Sequence, residues 1–294
     1  MEIFGIPTQA LFGQLLIGLI NGSFYALLSL GLAVIFGMLN IINFAHGAQY
    51  MMGAFVAYLL LDRFGVNYWW ALAITPLVVG ATGVLIERTM LSRLYQLDHL
   101  YGLLLTFGLA LIIQGLFRHE YGSAGLPYRI PDQLLGGQSL GFMFLPNYRA
   151  WIVVASLIVC FGTWYVIERT KLGSYLRAAT ENPQLVQAFG VNVPRMITLT
   201  YGFGVGLAAL AGVMAAPIYQ VSPQMGADLI IVVFAVVVIG GMGSIMGSIV
   251  TGFSLGVLEG LTKVFYPEAS NTVIFIIMAI VLLLKPAGLF GTQK

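Results

Sequence analysis

Four polar residues stand close together where the surrounding chain is apolar: Asn40, Asn43, His46 and Gln49. From Ile3 to Leu61 there is no Asp, Glu, Lys or Arg, so these side chains belong at membrane depth. Polar groups there need partners, and they mark either a packed interface or a water-lined path. Asn21 and Tyr25, upstream in the same uncharged run, extend the candidate set. Gly37 and Gly47 flank the cluster, which fits a broken or bent helix whose freed backbone groups these side chains satisfy. A network bracing the fold and a set of solute contacts are both consistent with the pattern. His46 has no second His, Cys or carboxylate nearby in sequence, so no metal site is expected. Ser244 and His46 as nucleophile and base lack any G-x-S-x-G setting, which argues against a hydrolase. Glu259 and Lys263, spaced i, i+4, are placed to neutralise each other; a proton relay at Glu259 is the alternative. No phosphate-cradling G-x-x-x-x-G-K-[ST] occurs. Gly204–Ala209 superficially matches a dinucleotide fingerprint, but it lies in an apolar helix with no preceding strand.

The elements that position these residues follow from composition. The chain has 294 residues, 59% of them hydrophobic and 8% charged, with a mean hydropathy of +0.94. A soluble domain carries about 25% charged residues. The expected fold is therefore all-α, a polytopic transmembrane helix bundle forming a single domain over residues 1–294. A formal net charge of +2 without a basic run offers no face for nucleic acid, so lipid is the surrounding partner. The single cysteine, Cys160, excludes an intrachain disulfide. The start of the chain lacks the basic region of a cleavable signal, so the first apolar segment is expected to stay.

Charges mark the limits of spans, and the uncharged runs divide into about eight to nine crossings of roughly 20 residues. Short-loop Lys and Arg set the orientation. Arg88, Arg93, Arg169, Lys171, Arg177, Arg195, Lys285 and Lys294 fall on the cytoplasmic side, and Arg63, Arg118, Arg129, Arg149 and Lys263 outside. Nine crossings close the parity, with the N-terminus outside. Two long connections remain: an outer one over 118–149 and an inner one over 169–195. Glycines at Gly202/Gly206, Gly243/Gly247 and Gly252/Gly256/Gly260 form small-xxx-small series expected to pack helices closely, with sliding between access states as the functional alternative.

The inner connection reads as structured. Asn182 suits an N-cap, Pro183 the first helical position and Gly190 the position past the end. Leu185, Val186 and Phe189 are expected to share one face opposite Gln184 and Gln187, and Arg177 and Glu181 to pair at i, i+4. A two-turn helix is not stable alone in water. It must rest on its own bundle, on the membrane surface or on a cytoplasmic partner, and periodicity does not choose.

The stretch resembles the coupling loop of ABC importer permeases, and most closely those of the branched-chain amino acid family, through Arg177-Ala178, Glu181-Asn182 and Gly190-Val191-Asn192. Leu185 and Val186 replace small alanines usual in that family's helix. Ile42-Asn43-Phe44-Ala45-His46-Gly47 is similar to the family's opening segment, Gly240–Gly247 to its glycine-rich element (with Met246 where Pro or Leu is common), and Lys285–Gly291 to its terminus. The likeness runs from about Gly18 to Gly291. It implies a non-enzymatic membrane subunit in the bacterial inner (plasma) membrane. The implied partners are a second homologous permease, two cytoplasmic ATPases gripping the short helix, and a periplasmic or extracellular solute-binding protein. ATP and Mg would be bound by the ATPases, with no cofactor in this chain. Family relatives move branched-chain and other amino acids, urea, short amides and aromatic acids. A secondary transporter or channel working without ATPases is the alternative.

Overall fold

The computed structural model describes residues 2–3, 6–39 and 41–291. Among them there are eleven α-helices and two small antiparallel ribbons. Strands β1 (Glu2–Ile3) and β2 (Ile6–Pro7) pair ahead of helix α1 (Thr8–Leu39). Then come α2 (Ala45–Phe64), α3 (Tyr68–Thr89) and α4 (His99–Tyr121). The long connection after α4 carries β3 (Gly137–Ser139) and β4 (Phe144–Pro146), which form a hairpin. Beyond it lie α5 (Asn147–Arg169), the short α6 (Lys171–Glu181) and α7 (Pro183–Ala188), α8 (Val193–Tyr219), α9 (Met225–Gly240), α10 (Ile245–Phe265) and α11 (Val273–Leu284). The ribbons are the only strands among the described residues and an addition to the all-α expectation. They are two or three residues long and leave the helical class unchanged.

Local chemistry sets the boundaries. Asn67 caps α3 by accepting from Trp70 N–H at 3.2 Å, and Asp98 caps α4 through Leu100 N–H at 2.9 Å. Asn192 does the same for α8, accepting from Arg195 N–H at 3.0 Å. Ser244, considered above as a nucleophile, instead caps α10 by accepting from Gly247 N–H at 3.1 Å. Helix α9 begins at Met225 and carries Asp228 in its first turn, where a carboxylate favours the helix N-terminus.

Among the described residues, six helices are long and apolar enough to cross a membrane: α1, α3 with the turn that follows it, α4, α5, α8 and α10. The remaining expected crossings fall on α2, α9 and α11, of 20, 16 and 12 residues. At 1.5 Å per residue, twelve residues cover about 18 Å of a hydrocarbon core of about 30 Å.

The chain gathers into two compact units. One holds α1 up to Ser29, the hairpin, the first part of α5, the end of α9, α10 and α11. Its seam is α1 against α10, where a β-carbon on Gly256 would collide with the Gly22 backbone and the Gly18 carbonyl. The other unit holds the end of α1, α2 to α4, the end of α5, α6 to α8 and the start of α9. Here α2 and α3 pack along α8. Ile35, Val79, Leu91, Tyr201, Val205 and Ala209 form its core. Lipid tails are as apolar as leucine, so burial from water does not hold these helices together; close van der Waals contact does.

Candidate functional site

The helical ladder stops at Leu39 and resumes at Ala45, so the break expected between Gly37 and Gly47 is present. Its freed groups are met from α4. The Thr106 hydroxyl accepts from Phe44 N–H at 3.2 Å and lies 3.2 Å from the Ile42 carbonyl, with the Leu103 carbonyl at 3.0 Å as the other possible acceptor. His46 N–H donates to the Asn43 carbonyl at 3.2 Å. Two of the side chains expected to satisfy the break meet each other instead: Asn43 Nδ2 donates to Gln49 Oε1 at 3.1 Å. Asn43, His46 and Gln49 are all buried, and the His46 ring sits where a β-carbon on Gly31 would touch it. Asn40 lies outside the described residues.

Thr106 is a residue that pattern alone does not reveal, being an ordinary polar position in an apolar helix. A buried N–H left without a partner costs about 1–3 kcal/mol. Thr106→Val should therefore lower the stability of the detergent-solubilised protein by about that amount, while Thr106→Ser, which keeps the hydroxyl, changes it by less than about 0.5 kcal/mol. Thermal unfolding of the two variants side by side checks this.

Tyr25 and Glu259 are joined within the other unit. The Tyr25 hydroxyl donates to Glu259 Oε2 at 2.7 Å, and Lys263 forms an ion pair with Oε1 of the same carboxylate, as its i, i+4 spacing suggests. Glu259 is buried and Lys263 partly exposed. Asn21, one turn before Tyr25, is half-buried on α1.

A third polar cluster escaped the sequence reading. Glu87, in the last turn of α3, is 2% exposed. It accepts from the Tyr95 hydroxyl at 2.6 Å and from Thr198 Oγ1 at 2.6 Å. Burial, and then the bond to Glu87, push the Tyr95 hydroxyl well above the ordinary tyrosine range, so it stays a donor. The cluster ties α3, the loop after it and the second turn of α8 together. Its members come from three separated segments, and Glu87 reads in sequence only as the charge that ends a span.

Beside this cluster lies the connection between α5 and α8. Helix α5 turns into α6 through a tight elbow in which a β-carbon on Gly173 would strike the Ile167 carbonyl. Arg177 closes the elbow, donating to that carbonyl at 3.1 Å and to Glu168 at 3.2 Å. On α7, Asn182 Oδ1 accepts from Leu185 N–H at 3.0 Å, Pro183 occupies the first turn, and Gly190 has a φ of 84°. Val186 is buried with Ala179 and Val193, backed by Met196 and Ile197. Leu185 is 53% exposed and Phe189 80% exposed. The helix is thus anchored by one side chain and offers two large apolar ones outward.

The family model described as branched-chain amino acid transport system / permease component matches residues 14–282. The chain belongs to this family. Among its relatives is the high-affinity branched-chain amino acid transport system permease protein BraD of Pseudomonas aeruginosa, 31% identical over 96% of both chains. Permease protein LivH of Escherichia coli is 30% identical over 96% of both. Permease protein LivM of the same organism is 27% identical over 92% of this chain and 68% of its own. No solved structure matches.

Several expectations for this permease need correction. Arg177 pairs with Glu168 and the end of α5, not with Glu181, because the elbow brings them closer than the next helical turn does. Leu185 and Phe189 share an outward face, but Val186, about 100° further round, points into the bundle. Gln184 and Gln187 are exposed, so the helix is not cleanly two-sided. Gly243 sits in the turn before α10 with a φ of 84° and is no part of a helix seam. Gly202 and Gly206 do face α3 closely, at Gly80 and Pro76, Gly247 faces Gly240, and Gly252 and Gly256 face α1.

Proposed function

We propose that this permease is the membrane subunit of an ATP-binding cassette importer in the bacterial plasma membrane. It pairs with a second, homologous permease, as the existence of two similar relatives in one organism, LivH and LivM, suggests. Two cytoplasmic ATPases hold ATP and Mg and engage α6 and α7, and an external solute-binding protein delivers a branched-chain or other amino acid. The observation that carries this reading is the outward pair Leu185 and Phe189 on an anchored α7. Large apolar side chains exposed on a cytoplasmic turn cost solubility unless a partner covers them. The α5–α6 elbow and the Glu87 cluster join that turn to α5, α3 and α8, so a push on α7 is delivered to the bundle. In this reading residues 1–294 form one permease domain with nine crossings. Helices α2, α9 and α11 supply the other three, the last two of them short, with the N-terminus outside and Lys285 inside. The Asn43–His46–Gln49 group braces the break in the second unit, and the small-residue seams let helices rock between access states.

Reconstitution tests the whole reading. Sealed vesicles holding this chain, the second permease and the ATPases, with binding protein outside, should accumulate leucine only when ATP is supplied to the ATPases. Vesicles with this chain alone should accumulate none under a proton or sodium gradient. Gradient-driven uptake by the chain alone would replace the importer with a secondary transporter.

A further inference from the structure

A cavity of about 260 Å³ lies between α2, α4 and the start of α9. Its walls are Phe44, Met51, Phe107, Leu111 and Ile230, and among the described residues no ionisable side chain lines it. Phe44 is the last residue of the helix break and meets Phe107 edge-on at 6.1 Å between ring centroids. The floor is therefore held by the Thr106 contacts that fasten the break. At the other end stands Gln114, whose amide is hydrogen-bonded to that of Gln224 in the turn before α9. Gln114 is one turn, about 6 Å, below Arg118, and Phe107 about 16 Å below it. The cavity thus runs from an amide rim near the end of α4 that carries Arg118, His119 and Glu120 down to an aromatic floor at the break.

We propose that this cavity is the subsite for the aliphatic side chain of the transported solute, with the Gln114 and Gln224 amides at its mouth facing the solute's polar end. The proposal rests on the importer reading and adds where selectivity resides within this chain. Three features point to that ligand class. The volume lies just under the range of about 300–1,000 Å³ usual for drug-sized ligands, which suits an amino acid and excludes a nucleotide. The apolar walls reject a free ion, because nothing there replaces its hydration. The rim amides both donate and accept, so they match an ammonium and a carboxylate without holding either strongly, as a passage site requires.

The test uses the complete assembly in vesicles and compares labelled leucine with labelled alanine. Ala110 also lines the cavity. Ala110→Phe, which fills it, should cut leucine uptake about tenfold or more and alanine uptake less than threefold. Phe107→Ala, which enlarges it, should lower the leucine-to-alanine ratio severalfold. Equal changes for both solutes, or none, would overturn the subsite while leaving import intact. Should the filled variant fail to assemble, Ala110→Cys decides. A membrane-impermeant thiol reagent added outside should label it, and leucine-loaded binding protein should slow the labelling; the native Cys160 is buried. Labelling only by a lipid-soluble maleimide would place the cavity against lipid and overturn the proposal. Wild-type vesicles that import neither amino acid would instead remove the importer reading, and this subsite with it.

Discussion

Phe189→Glu combined with Leu185→Asp is expected to abolish co-purification of the ATPases and reduce ATP-driven uptake at least a hundredfold, while the permease still inserts and remains monodisperse. The two side chains are 80% and 53% exposed, so the protein by itself loses little when they change. An interface loses much more. Truncating an anchoring aromatic at the centre of an interface costs about 2 kcal/mol or more. Burying a new carboxylate against an apolar pocket adds several kcal/mol to that. The single truncations should be graded, Phe189→Ala weakening association about thirtyfold or more and Leu185→Ala about tenfold. Val186→Asp makes the contrast. It introduces a charge among Ala179, Val193 and Met196, so it should destabilise the connection itself and lower the yield of folded permease. Normal ATPase recovery with the double variant would show that α7 is not where the motor engages.

The largest expected effect on stability is Gly256→Leu. A first side-chain carbon at this position already collides with the backbone of Gly22 and with the Gly18 carbonyl. Backbone cannot rotate aside as a flexible side chain can, so α1 and α10 must separate along the seam. Overpacking costs about 1–3 kcal/mol where neighbours can adjust, and here the loss of contacts along the seam adds to it. A penalty of about 4 kcal/mol or more is of the order that unfolds a marginal domain. Gly115→Leu is the control. It also lies in a spanning helix, but a β-carbon there meets nothing within 4 Å. Its thermal midpoint should match the parent's within a few degrees, whereas Gly256→Leu should yield aggregated or degraded protein. Equal behaviour of the two would mean that the seam does not hold this unit together.

What the sequence settles on its own is what depends on neighbours along the chain. Runs without charge locate apolar helices because a charge in hydrocarbon is costly wherever the helix packs. Asn182, Pro183 and Gly190 delimit α7 because caps and a left-handed residue act within a few residues. Glu259 and Lys263 meet because one helical turn brings them together. The same reasoning proposes Arg177 with Glu181, and there it fails. An i, i+4 pair on an exposed surface is worth only about 0.3–0.5 kcal/mol, so the folded-back elbow at Gly173 easily redirects Arg177 to Glu168 and the Ile167 carbonyl.

Tertiary structure alone decides which groups from distant segments become neighbours. It assigns Thr106 to the break, joins Glu87 to Tyr95 and Thr198, and turns Val186 inward while leaving Leu185 and Phe189 outside. It also separates the glycines that seam helices from Gly243, which only turns the chain. The physical reason is common to all of these. Once a chain is helical and in lipid, hydropathy no longer distinguishes one apolar face from another, and the choice passes to close packing and to the few hydrogen bonds that packing allows.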